Sequence, residues 1–351
     1  MLIREATPDD NEGLLRLTSL VGMRGVIDLR IDRKPDFFAL LKERGPCYIL
    51  VAESDGQIVG IIASAVHEAL VMGNLRTIHY ISDFKVHPDH QNSTLAFRMV
   101  EKLVGYLKLI DADLLLCTSI LGNKKVEPFF QGHLGIPRFT EMGTFSVFQI
   151  LPSLFGGKDL HLLQGGSSKD ELEELSDFFN MESQDFAMAP HTKPQDLKNK
   201  MNLLKRENGK IIAAVCIADY MHLKQNVVTK VPFNLKLISK GVNLLSHLIP
   251  SFHLPEEGEA IRLLNIKRMA VSSGKISDLH KLISSARYML YKNQFIFLTI
   301  ALHPADPCRK VFTRLPKFTL FSKVWMSSLK GDQDLLNTLQ KGVLFEDYSL
   351  V

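Results

Sequence analysis

The sequence has no uninterrupted apolar run approaching the ~20 residues that a membrane-crossing helix needs, so stable membrane insertion is not expected. Its opening, MLIREATPDD, puts charge where the apolar core of a secretory leader belongs, and a cytoplasmic location is the expectation. Cysteine is scarce. Cys47, Cys117, Cys216 and Cys308 stand far apart, each in or beside an apolar run, which favours buried free thiols over bridges and argues against a metal site. Nor is there a dense Lys/Arg cluster, although the formal charge is +4, and nucleic acid is not an expected partner. What is present suits a soluble globular protein: 46% hydrophobic and 23% charged residues in a chain of 351, long enough for two domains that each bury a core.

Taken in order, LIREAT reads as a first strand. Pro8-Asp9-Asp10 before Glu12 reads as the cap of a helix whose buried face carries Leu14, Leu15, Leu17 and Leu20. The polar stretch MRGVIDLRIDRKP leads to a second helix, DFFALLKERG. Ser54-Asp55-Gly56 joins two strands in a hairpin, and Gly73-Asn74 turns the chain again into LRTIHYISDFKV. Leu95, Met99, Val100, Leu103, Val104 and Leu107 then recur at helical spacing. Asp111 opens the turn into the buried strand DLLLCTSI, Asn123 begins a helix NKKVEPFFQGHLG interrupted by Pro128, and RFTEMGTFSVFQIL supplies a closing strand pair.

The stretch that organises these elements is Val86 to Val100, VHPDHQNSTLAFRMV. An apolar strand ends at Pro88, a polar loop follows, and Ser93 or Thr94 opens a helix. Amides of Gln91, Asn92, Ser93, Thr94, Leu95 and Ala96 would converge there with the positive end of the helix, a setting suited to an anion. This stretch resembles the acyl-CoA pyrophosphate loop of the GNAT acetyltransferases, Val-x-Pro-x-x-(Arg/Gln)-x-x-Gly-x-(Gly/Ala). Val86, Pro88, Gln91 and Ala96 match, while Thr94 stands where the first Gly is expected, a costly place for a β-branched residue if φ is positive there. The element order over about the first 150 residues is similar to that family, as is the ending FFQGHLGI.

The resemblance implies an α+β fold with a mixed, mostly antiparallel central sheet flanked by helices. It also implies acetyl-CoA as acyl donor and a primary amine as acceptor. The pantetheine arm would pair with the exposed backbone of Phe84, Lys85 and Val86, with Asn123 and Phe130 beside the cofactor. The family commonly reprotonates the departing thiolate with a Tyr; the matching residue here is Phe130, next to Phe129, and neither donates a proton. His133 is the nearest titratable substitute. For the base that takes the amine proton, Asp83 is the first choice and His79 the second, since a regular strand places both on one face with Lys85 and His87. Glu53, His67 and Glu68 border the groove in which the resemblance places the acceptor. Cys47 and Cys117 lack a His/Asp arrangement around them, so direct attack in a ternary complex is expected in place of a covalent enzyme intermediate. An acyl-CoA sensor or scaffold without turnover is the main alternative, and a tandem transferase using aminoacyl-tRNA is a third.

Gly156-Gly157 and Gly165-Gly166-Ser167-Ser168 mark a break, giving expected domains 1–153 and 169–351 joined by a linker, 154–168. The second half repeats the order of the first: NGKIIAAVCIADY answers DGQIVGIIASAV, IRLLNIKRMAV answers HYISDFKV, FIFLTIAL answers DLLLCTSI, and LPKFTLFSKVW echoes IPRFTEMGTFSVFQ. The fold is therefore expected twice in tandem, as a monomer or homodimer. In the second copy the loop position reads VSSGKISD, with Ser272, Ser273 and Lys275 but no Pro and no Arg/Gln, a degenerate version. An insertion, 221–255, has no acidic residue and places Lys236, Ser239, Lys240, Asn243 and His247 on one face of an amphipathic helix.

Overall fold

Two tight turns set the frame of the first half. In the computed structural model Asp55 and Gly56 have φ of 52° and 74°, and Met72 and Gly73 have 49° and 76°; left-handed pairs of this kind match the twist of the strands they join. The structure describes every residue except 21, 23–27, 92, 125, 134, 157–160, 165–167, 233–235, 237–242 and 244–253. The expected helix of the insertion therefore lies almost wholly outside the described residues; of its polar face, Lys236 binds Glu257 and Asn243 binds the backbone of Leu254.

In chain order the elements of the first half are β1 (Leu2–Glu5), α1 (Asn11–Leu20), β2 (Asp28–Asp32), α2 (Ala39–Arg44), β3 (Cys47–Ser54), β4 (Gln57–Val71), β5 (Asn74–Val86), α3 (Leu95–Leu109), β6 (Leu114–Ile120), α4 (Glu127–Phe130) and β7 (Thr140–Ile150). Those of the second half are β8 (His161–Gln164), α5 (Lys169–Glu182), β9 (Met188–Pro190), α6 (Pro194–Leu197), β10 (Met201–Glu207), β11 (Lys210–Ala218), β12 (Gln225–Lys230), β13 (Leu263–Val271), α7 (Ile276–Lys292), β14 (Phe297–Leu302), α8 (Arg309–Phe312), β15 (Lys317–Ser328) and α9 (Gln333–Lys341).

The main sheet runs β1-β3-β4-β5-β6-β15-β7-β14-β13-β11-β10-β8, with β9 added to β4. Read from either end, this is one order twice: an antiparallel meander, one parallel pair (β5 with β6, β13 with β14), then a final strand. The final strands are exchanged. β15 pairs with β6 of the first half, β7 pairs with β14 of the second, and β7 and β15 pair with each other over Lys317–Met326. The fold is thus mixed, mostly antiparallel, flanked by helices and present in tandem, but one sheet runs through both copies.

Three expectations change. RFTEMGTFSVFQIL forms a single strand, because its partner comes from the other half of the chain. NKKVEPFFQGHLG keeps only the single turn of α4: Pro128 lacks an N–H for an upstream carbonyl, and Gly132 and Gly135 take φ of 81° and 78°. Residues 161–164, expected as linker, form β8 on β10. The polar segment before α2 contributes β2, which pairs with β12 from the insertion in a separate two-stranded sheet.

The first half packs α3 on one face of its strands, with Leu95, Met99, Leu103 and Leu107 against Leu50, Ile62 and Val86. On the other face Leu14 and Leu17 of α1 and Leu41 of α2 meet Ile49, Ile61, Ala63 and Ala65. Gly60 allows the α3 contact: a Cβ there would lie 2.7 Å from the sulfur of Met99.

Candidate functional site

The parallel pairing of β5 with β6 covers only Ile78↔Leu114 to Ile81↔Cys117. Beyond it β6 continues along β15 while β5 runs on to Val86, so Ser82 to Val86 present one unpaired edge at a fork. At the fork Asp83 has a φ of 54°, and the register against β4 slips from Ala63↔Ser82 to Ile61↔Lys85. That extra residue is a β-bulge. It overturns the expectation that Asp83 and His79 share a face: His79 lies 3.4 Å from the hydroxyl of Ser64, on the α3 side with Ile81, whereas Asp83 binds Arg33 on the α2 side. His79 is buried, and burial lowers its pKa.

The loop closes β5 onto α3. The His87 amide donates to the Val59 carbonyl, a 3-10 turn spans Pro88–His90, and the Gln91 side chain donates back to the Val86 carbonyl at 3.2 Å. Ser93 Oγ donates to the His90 carbonyl and accepts the Leu95 amide. Leu95 therefore spends its N–H inside the loop and its side chain in the α3 core, and does not join the expected anion donors. The amides of Ala96 and Phe97 fall in the first helical turn, where no helical carbonyl precedes them. Thr94 has φ −73° and ψ 0° and an exposed side chain: the loop takes a right-handed conformation here that needs no Gly. Asn92 lies outside the described residues. Asn123 is exposed in the turn after β6, its amide bonded to the Ile120 carbonyl.

Aromatic rings line this side of the fork. Phe129 meets Phe84 edge-on at 5.0 Å and stacks on Phe97 at 4.6 Å. Phe130 stacks on Trp325 of β15 at 4.4 Å, and the Trp325 indole donates to Ser119 Oγ. His133 is exposed beyond α4. Cys117, at the fork, is buried and its thiol is pushed up by burial, which makes it a poor nucleophile.

On the α2 side Asp83 accepts from Arg33 at 2.7 Å, both side chains nearly inaccessible, and Lys85 stands 3.9 Å from its second oxygen. Lys224, brought in from the insertion, donates to the backbone oxygen of Val351. Burial, with Arg33 and Lys85 nearby, lowers Lys224 to about 8, against the pull of Asp83. Arg33 and Lys224 were not singled out in the sequence: one follows the short alternation IDLRID in a largely polar stretch and the other lies some 140 residues from Asp83.

The second copy differs at each corresponding point. Ser272 Oγ donates to Glu182 and Lys275 binds both oxygens of Glu207, so these two side chains are taken by carboxylates. Where β13 leaves β14, Lys267 and Arg268 clamp Asp347 from the segment after α9. Along the same α2 face lies a cavity of about 390 Å³, walled by Glu43–Pro46, Val66–Glu68, Pro190–His191 and this clamp. Among the described residues there is no cluster of His, Cys, Asp and Glu able to hold a metal, and no helix long and apolar enough to cross a membrane.

Residues 23–136 match the acetyltransferase (GNAT) family model. No curated protein sequence matches the chain. Among solved structures it is similar to N-myristoyltransferase of Saccharomyces cerevisiae with bound myristoyl-CoA, at TM-score 0.64 and 12% identity, over 93% of this chain and 83% of that one. It is also similar to a protein of unknown function from Enterococcus faecalis described as a probable N-acyltransferase, at TM-score 0.51 and 7% identity, over 92% of this chain and 72% of that one. At such identities these likenesses speak for the fold alone. The family match covers the segment that carries the fork and its loop, so residues 23–136 are similar to a GNAT acetyltransferase domain in sequence, and the fold around them is built twice.

Proposed function

We propose that the chain is an acyl-CoA-dependent N-acyltransferase, moving an acyl group, in the simplest case acetyl, from the CoA thioester to a primary amine by direct attack. The observation that carries this is the fork: a free strand edge and a bulge lead into a helix N-terminus in one continuous path. A pantetheine arm adds to such an edge as a strand would. The pyrophosphate meets the first-turn amides and the positive helix end, and a backbone N–H near Phe84 is placed to stabilise the tetrahedral oxyanion. On the opposite face Asp83, oriented by Arg33, and Lys224, neutral above about pH 8, are the groups proposed to take the amine proton. The first copy is the proposed donor site, and the second, with the Ser272 and Lys275 side chains paired, is proposed to complete the acceptor side.

A second reading, an acyl-CoA-binding protein without turnover, is favoured by one observation: Phe130, packed on Trp325, offers the departing thiolate no proton. Free-thiol release from acetyl-CoA and from a longer acyl-CoA, with a panel of primary amines, separates the two. Amine-dependent release is expected. Saturable binding without release selects the second reading, and no binding of either donor removes both.

A further inference from the structure

The cavity beside the clamp contains polar atoms without partners. Glu346 is wholly buried; its Oε1 accepts from Arg44 at 2.9 Å, and Oε2 has no hydrogen bond among the described residues. His67 of β4 faces it, with Nε2 3.9 Å from that oxygen and neither ring nitrogen bonded. Nδ1 of His191, on the same wall, is also without a partner. Buried polar groups are normally hydrogen-bonded, so three of them around one hollow call for a guest, water or a ligand, that brings hydrogen bonds of its own.

The neighbouring charges are already paired. Arg44 is held by Glu346, Lys193 by Glu68, and Lys267 and Arg268 by Asp347. Burial raises the pKa of Glu346 against the pull of Arg44, and among the described residues its Oε2 has no donor. Burial, and after it the Arg44 and Arg268 cations, push His67 down to about 3, so the ring is neutral and keeps a lone pair. With the imidazole in its Nδ1–H form, the gap of 3.9 Å between Nε2 and Glu346 Oε2 admits one nitrogen within hydrogen-bond reach of both. A primary ammonium, with three donors, satisfies the carboxylate and the imidazole together.

We propose that this cavity binds a small primary amine as its ammonium, gripped by Glu346 Oε2 and His67, with a second polar group of the ligand meeting His191. The cavity lies on the α2 side, as Asp83 does: Arg44 of its wall lies over the Tyr80 ring at 3.6 Å, and the Tyr80 hydroxyl bonds Thr118, the first residue of β6 past the paired stretch, so two side chains connect the cavity to the fork. Naming this amine as the acceptor rests on the acyl-transfer proposal above; its binding does not.

Ethanolamine and its uncharged analogue ethylene glycol test the site in the full-length protein. Histidine ring resonances are followed by nitrogen-15 NMR, with the resonance lost in His67→Leu identifying His67. Ethanolamine is expected to shift that ring saturably in the millimolar range, ethylene glycol is not, and Glu346→Gln is expected to weaken the amine at least tenfold. Should Glu346→Gln not fold, Glu346→Asp keeps the charge for Arg44 while withdrawing Oε2, and the same loss is expected. Equal shifts with both compounds mean a water-filled hollow and overturn the proposal, as does wild-type affinity in a folded Glu346 variant. Binding of acetyl-CoA and of a longer acyl-CoA is titrated in the same samples, and failure means that neither binds. Failure there removes the acyl-transfer proposal and leaves the amine site standing, whereas failure of ethanolamine alone removes only the site.

Discussion

Thr94 shows how much a single residue type says about a site. As a departure from the family's Gly it pointed to a costly backbone conformation, yet its φ of −73° is ordinary right-handed backbone and its side chain is exposed. We therefore expect Thr94→Gly to change acetyl-CoA affinity less than twofold, while Thr94→Asp, which sets a negative charge where a diphosphate would sit, weakens it at least tenfold in a calorimetric titration. Asp83 is the converse case. The sequence offered it as a candidate base but did not give its neighbours, because the bulge that turns it away from His79 depends on pairing with β4. Periodicity assumes regular backbone, and a one-residue slip sends later side chains to the other face.

At the scale of elements, the first turn of the chain is held by one carboxylate. Asp10 accepts both guanidinium nitrogens of Arg4 and the amide of Thr7, and Arg4 also reaches Glu53, so a cap, a strand and its neighbour share one network. The Arg4 hydrogen bonds outweigh burial and hold Asp10 at about 2. A carboxyl depressed on folding stabilises the protein above its unfolded pKa, and that contribution is lost as pH falls through the folded value. Urea unfolding between pH 5 and pH 2 should show wild-type stability falling across this window, and Asp10→Ala, weaker by on the order of 1–2 kcal/mol at pH 7, should lose less. Helices and hairpins of this kind were legible in the sequence because local spacing specifies them. β2 and β12 were not: DLRID alternates but is only five residues long in a largely polar stretch, QNVVTK carries little alternation, and their pairing joins residues almost two hundred positions apart.

Across the whole molecule the repeat was legible and the exchange was not. Matching segments such as IPRFTEMGTFSVFQ and LPKFTLFSKVW announce two copies, but nothing in either says that each completes the other's sheet. With β15 seated between β6 and β7, the halves share one core seam, Phe145 and Val324 among its fully buried residues. We expect fragment 1–153 expressed alone to expose the β6 edge and aggregate, and co-expression with 154–351 to restore a soluble complex that elutes with the intact chain. Two separately stable fragments would contradict the shared seam. The exchange also bears on synthesis. β6 ends at Ile120 and its partner begins at Lys317, so a ribosome adding about 5–20 residues each second leaves that edge bare for roughly ten to forty seconds. In every nascent copy, protection from neighbouring chains during that interval has to come from a chaperone or from dilution, since the polypeptide has not yet made its own cover.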